Sequence, residues 1–116
     1  MNGNAYGTIS NPRISRVAQS SPFRDWSHRL DAQAAAKINI ALERLAHGSL
    51  SNVKGVGSGV LEFRVDFGPG YRIYFAKEGQ DLIILLGGGT KRRQQQNIET
   101  ALERWADYKR RKKEAH

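Results

Sequence analysis

Between Gly59 and Arg93 the chain reads GVLEFRVDFGPGYRIYFAKEGQDLIILLGGGTKRR. Leu61, Phe63, Val65 and Phe67 alternate with Glu62, Arg64 and Asp66, and a period of two sends the two sets to opposite faces of one strand. After a turn at Gly68-Pro69-Gly70 the scheme repeats, with Tyr71, Ile73 and Phe75 on one side and Arg72 and Tyr74 on the other. The hairpin is therefore expected to gather Arg64, Arg72 and Tyr74 on one exposed surface, where truncating Arg72 would open no cavity. Leu82 to Leu86 does not alternate, which predicts a central strand covered on both faces. Its end delivers Gly87-Gly88-Gly89-Thr90-Lys91-Arg92-Arg93 beside the hairpin.

Upstream, MNGNAYGTISNP (residues 1–12) lacks periodicity and reads as a flexible extension, and Arg13 to Gln19 as a short strand. Ser21-Pro22 opens a helix carrying Phe23, Trp26 and Leu30 on one side. Asp31 caps a second helix to His47, with Ala34, Ile38, Ala41, Leu42 and Leu45 as its apolar stripe and Gly48 as its stop. Ser49 to Ser58 reads as a Gly/Ser loop. A last helix starts near Arg92 to Gln94 and carries Ile98, Ala101, Leu102, Trp105 and Tyr108 at helical spacing. The expected fold is α+β: an antiparallel sheet packed on an N-terminal helical hairpin and a C-terminal helix, with the helices on one face and the other open. Residues 13–108 would form the domain and residues 109–116 a basic tail.

Length agrees with one domain, since domains commonly run to about 100–150 residues. The chain has no cysteine, so neither a disulfide framework nor a thiolate metal site is available. Its longest apolar run is far short of the roughly 20 residues that span a bilayer, and no apolar leader opens it; a soluble, cytoplasmic protein with no membrane partner is expected. The net charge is +8, from 19 Lys and Arg against 11 Asp and Glu, which draws polyanions such as RNA, DNA or an acidic protein. The run Lys109 to Lys113 supplies five of those charges, and without it the net falls to +3. Placement of the remaining cations has to decide.

The glycines before Lys91 suggest a phosphate loop, but the spacing is not GxxxxGK followed by Ser or Thr. Gly57 and Gly59 read as turn glycines. His28, His47 and His116 fall in separate segments, so neither a metal nor a cofactor is expected. Glu62 and Asp66 are expected to pair with Arg64 and Arg72 across the hairpin, and Trp26 and Trp105 to be core. Arg64, Arg72, Tyr74, Lys91 and Arg92 converge on the open side of the sheet. Metal-free RNA cleavage needs the 2′-hydroxyl deprotonated, the phosphate charge stabilised and the 5′-oxygen protonated. Guanidinium forks suit the second task. Lysine or tyrosine would have to move the protons. The same cations could equally form a solvated lattice that binds phosphate or an acidic partner without chemistry.

Taken together, SPFRDW, LERLAHGSLSNVKGVGSGV, LEFRVDFGPGYRIYF and LIILLGGGTKRRQQQNIETAL resemble the addiction-module killer proteins of the RelE/HigB type, in the RelE/ParE superfamily. The likeness runs from about Val17 to Tyr108. It implies the toxin of a type II toxin–antitoxin pair, an endoribonuclease (mRNA interferase) that cuts messenger RNA on the ribosome. It also implies a helix-turn-helix antitoxin that masks the active face. By this resemblance Arg72 holds the scissile phosphate, Arg64 is the basic residue of the preceding strand, and Lys91 or Arg92 is the basic residue after the last strand. Lys54, Tyr74 and Arg93 would contact substrate. The chain departs from the RelE pattern in having no tyrosine shortly after Arg92 and one basic residue, not two alternating lysines, on the first hairpin strand. That leaves the general acid and base open. Two other functions fit the same superfamily: a ParE-like inhibitor of DNA gyrase without nuclease chemistry, and a degenerate module that only binds RNA or antitoxin.

Overall fold

The computed structural model describes residues 14–115; the extension expected at 1–12 lies outside them, as do Arg13 and His116. The order is β1 (Arg16–Gln19), α1 (Ser21–His28), α2 (Ala32–Ala46), β2 (Val53–Gly57), β3 (Val60–Val65), β4 (Tyr71–Glu78), β5 (Leu82–Thr90), a 3₁₀ turn (Lys91–Arg93) and α3 (Gln94–Glu114). Both early helices start on side-chain caps. The Ser20 hydroxyl accepts from the Phe23 amide, one residue earlier in the chain than expected, and Asp31 accepts from the Ala34 amide. Gly48 takes a positive φ just beyond α2, a conformation without steric cost only for glycine.

The five strands lie in the order β1-β5-β4-β3-β2. The β3–β4 hairpin has the expected register, with Arg64 opposite Arg72 and Glu62 opposite Tyr74. β1 pairs with β5 in parallel, and the other pairs are antiparallel. The central strand is β4 and not β5, as the unbroken apolar run suggested; β5 lies beside it, interior between β1 and β4.

Two further expectations about the fold fail. The segment read as a Gly/Ser loop contains β2, an edge strand that sets Lys54 opposite Glu62. The second sheet face is not open, because α3 lies across it. Phe23, Ile38, Leu45, Phe63, Ile73, Phe75 and Leu85 form the core under α1 and α2. Val60, Tyr74, Ala76, Ile84, Leu86, Ala101 and Trp105 form a second core under α3. Tyr71 to Ala76 is consequently buried without a break. The basic tail is helical, and α3 continues to Glu114, where Lys112 pairs with Glu78. Among the described residues no helix is long and apolar enough to cross a membrane.

Candidate functional site

The polar face of the hairpin is organised around Glu62, only 2% exposed. A buried carboxylate needs hydrogen bonds and counter-charge, and β2, β4 and α3 supply both. The Tyr74 hydroxyl donates to Oε2 at 2.9 Å, and Gln94 Nε2 donates to both oxygens at 3.1 and 3.0 Å. Arg72 Nε stands 3.8 Å and Lys54 Nζ 3.7 Å from Oε1. The strand register explains the cluster, since Lys54, Glu62 and Tyr74 are consecutive cross-strand partners.

Arg72 is not exposed, as the alternation suggested, but 6% exposed, because its side chain lies against Glu62 and beside the Gly70 turn and Lys91. Truncating it to alanine would open a cavity and strip Glu62 of its buried counter-charge. Its contact with Glu62 is an ion pair longer than a hydrogen bond, and Arg72 Nε is buried without a hydrogen-bond partner among the described residues. Its Nη1 donates to the Tyr71 carbonyl at 3.4 Å.

Tyr74 also departs from expectation. It is fully buried, and burial first, then the hydrogen bond and charge of Glu62, push its phenol far above the usual range, with Arg72 opposing. It cannot act as a base near neutral pH; it holds its proton and orients Glu62.

Arg64 is exposed, with Nε 3.3 Å from Asp66 and Nη2 donating to Asn52 at 3.5 Å. Two clefts meet at Arg64 and Arg72. One, of about 250 Å³, is lined by Asn52, Lys54, Glu62, Gln94 and these arginines. The other, of about 550 Å³, is lined by the same arginines, the Gly68-Pro69-Gly70 turn and Lys91. The Lys91 amide donates to the Gly70 carbonyl at 2.7 Å. Gly70, at φ +81°, leaves room for both side chains: a Cβ there would meet Lys91 Cβ at 3.4 Å and Arg72 Nη1 at 3.6 Å.

The fold thus brings together Lys54, Arg64, Arg72 and Lys91. Arg92 is exposed on the 3₁₀ turn and lines neither cleft, and Arg93 lines a different one between α1 and α3. Of the pairings expected across the hairpin, Glu62 with Arg72 is present, whereas Asp66 pairs with Arg64 two residues before it in the same segment. The sequence reading missed Gln94 and the central place of Glu62; the signal for the latter was the alternation of Lys54 through Gly57, which glycine obscured. Among the described residues no group of three or more His, Cys, Asp or Glu could hold a metal. The arrangement can bind an extended anion such as a phosphodiester, with a buried guanidinium at the floor and exposed cations at the rim.

Comparison with known proteins gives three findings. The family model described as "Phage derived protein Gp49-like" matches residues 25–106. An uncharacterized protein of Haemophilus influenzae is 40% identical over 87 residues, covering 74% of this chain and 88% of that protein. A chain in the crystal structure of the toxin–antitoxin complex RelBE2 from Mycobacterium tuberculosis matches with a TM-score of 0.51 at 18% identity, covering 67% of this chain and 99% of that one. At that identity the likeness is one of fold.

Proposed function

The chain belongs to the phage-derived, Gp49-like family, and from that premise we propose that it is the toxin of a type II toxin–antitoxin pair and cuts messenger RNA without a metal. The observation that carries this reading is the convergence of Lys54, Arg64, Arg72 and Lys91 on two joined clefts around a buried carboxylate. The RelBE2 match supports the toxin fold, and the RelE/HigB-like motifs support RNA on the ribosome as substrate and a helix-turn-helix antitoxin as partner.

In the proposed reaction the ribose 2′-oxygen attacks phosphorus and the bond to the 5′-oxygen breaks. The products are a 2′,3′-cyclic phosphate and a 5′-hydroxyl. Arg72, with Arg64 and Lys91 at the rim, holds the phosphate oxygens and stabilises their growing charge. Tyr74, whose raised pKa keeps its proton in place near neutral pH, does not serve as the base. The exposed Lys54 ammonium at the cleft wall donates its proton to the departing 5′-oxygen, and a solvent water on the opposite side of the phosphorus takes the 2′-hydroxyl proton, so that Glu62 stays ionised as the counter-charge of Arg72.

The test is induction of the chain in cells, with transcript 5′-ends mapped within minutes, beside purified protein acting on RNA in EDTA. New 5′-hydroxyl ends that Arg64→Ala and Lys91→Ala suppress, and cleavage that EDTA leaves unchanged, are expected. Intact transcripts with DNA damage and filamentation would replace the reading with gyrase inhibition. Cleavage restored only by magnesium would overturn the metal-free chemistry.

A further inference from the structure

The glycine run at the end of β5 allows close packing from both sides. Strand alternation turns Gly87 and Gly89 toward α3 and Gly88 toward α1. A Cβ on Gly87 would run into Arg104, one on Gly88 into the Trp26 ring, and one on Gly89 into Asn97. β1 accompanies β5 only as far as Leu85, so among the described residues no strand covers this edge of Gly87 to Gly89. A polar cleft of about 230 Å³ results, floored by Gly87 and Gly88 and walled by Trp26 and Arg29 on one side and Arg93, Asn97 and Arg104 on the other.

Arg104 is the informative group. Between Tyr74 and Phe75 the β4–β5 register shifts, leaving Leu86 as the extra residue of a bulge. The unpaired Leu86 carbonyl accepts from Arg104 Nη1 at 2.9 Å and from the Ser20 hydroxyl at 3.4 Å. This explains one N–H of a guanidinium that has five. Among the described residues Arg104, Arg29 and Arg93 make no ion pair with any carboxylate. Burial lowers the Arg104 pKa from its ordinary value, with Glu103 opposing, as expected of a cation short of counter-charge. Fixing a bulge would need neither the other two arginines nor an uncovered glycine backbone. A bound anion uses both, since glycine lets an oxyanion approach the backbone closely.

We propose that this cleft is a second anion site, holding an RNA phosphate other than the one over Arg72. Gln94 lines the first cleft and its neighbour Arg93 the second, so the two flank the start of α3 and one strand crossing that point meets both. The RNA assignment rests on the nuclease reading, whereas the anion site does not.

Two measurements separate these claims. In the first, inorganic phosphate is titrated into the full chain while the two tryptophan indole N–H signals are followed by NMR. Trp26 is expected to shift saturably and Trp105 to stay put, with the shift lost in Arg104→Gln and in Arg29→Ala/Arg93→Ala. The double variant changes only exposed rim residues, so it remains informative should Arg104→Gln not fold. An unmoved Trp26 signal, or one that moves equally in the double variant, would overturn the site whether or not the chain cleaves RNA. In the second, binding of a short RNA with a single 2′-deoxy substitution at the cleavage position is measured against salt. The double variant is expected to bind more weakly across sequences and to lower the slope of log K against log salt by about 0.7 for each lost phosphate contact. An unchanged slope, or no binding of RNA by the unmodified chain, would overturn the RNA assignment and leave the phosphate result to stand on its own.

Discussion

Replacing Glu62 with glutamine tests whether the site is assembled around one buried negative charge. The side chain keeps its shape, so no cavity forms, and Tyr74 and Gln94 remain beside it at hydrogen-bond distance. The charge that neutralises Arg72 disappears, however, and Arg72 is 6% exposed. Removing one partner of a buried ion pair typically costs about 3–5 kcal/mol, because the other charge stays buried alone. Lys54 is exposed, so its pairing adds no more than about 1 kcal/mol. Arg72 also borders an open cleft, which favours the lower end, a loss of about 3 kcal/mol. For a domain near 100 residues that lowers Tm by roughly 12 °C. Urea unfolding followed by circular dichroism at pH 7 measures it. Adding Arg72→Gln to Glu62→Gln is expected to recover part of the loss, since the stranded cation goes too. A loss below about 1 kcal/mol, or a double variant as unstable as the two single losses combined, would show that solvent already neutralises Arg72.

Three further outcomes follow from the same coordinates. Lys91→Ala is expected to lower RNA cleavage about a hundredfold and Arg92→Ala far less, because only Lys91 lines the cleft; equal effects in a kinetic assay would disqualify the cleft as the guide. Tyr74 holds its proton in the folded state above the pH, near 10, at which the unfolded chain loses it. Its contribution to stability is therefore complete below pH 10 and is lost as pH rises above it, by about 1.4 kcal/mol per pH unit. Tyr74→Phe should flatten that alkaline decline in urea unfolding at pH 9 to 11, and parallel curves would count against the buried phenol. Gly88→Ala is expected to cost about 1–3 kcal/mol, because its Cβ meets the rigid Trp26 ring, and Gly87→Ala less, because it meets the flexible end of Arg104; thermal unfolding ranks them.

The helices and the three long strands were legible because each satisfies a local rule: a cap, a period of 3.6 or 2, a glycine turn. Asp31 caps where a polar residue precedes an apolar stripe, and the first helix is capped by Ser20, one residue before the serine the pattern indicated. β2 was not legible, since Lys54-Gly55-Val56-Gly57 has the composition of a loop and is held as a strand by the ladder of β3. Missing it hid the partnership of Lys54 with Glu62. The alternation correctly placed Arg64 and Arg72 on one face, and the inference from a polar face to an exposed one then failed. A period of two states which residues share a side and says nothing of what covers that side. Here the cover is the polar start of α3, whose Gln94 can satisfy a buried carboxylate where an apolar residue could not.

That cover also explains why the candidate site lies where it does. On the α3 side, β3 presents Val60, Glu62 and Arg64, and β4 presents their cross-strand partners Ala76, Tyr74 and Arg72. Both strands therefore run from apolar residues to bridging polar ones to cations, in register. Val60 and Ala76 sit in the core with Ala101 and Trp105. Glu62 and Tyr74 meet one turn of polar helix at Gln94. Beyond it α3 has not begun, and Arg64 and Lys91 face the clefts. A cation set at the edge of such a core is oriented by buried neighbours while its free side stays open to an anion, which is the preorganisation that phosphate binding requires. Lengthening α3 at its start would bury the cations, and shortening it would expose Glu62. The site is thus tied to the residue at which α3 begins, and the glycine cleft on the other side of that residue shares the dependence.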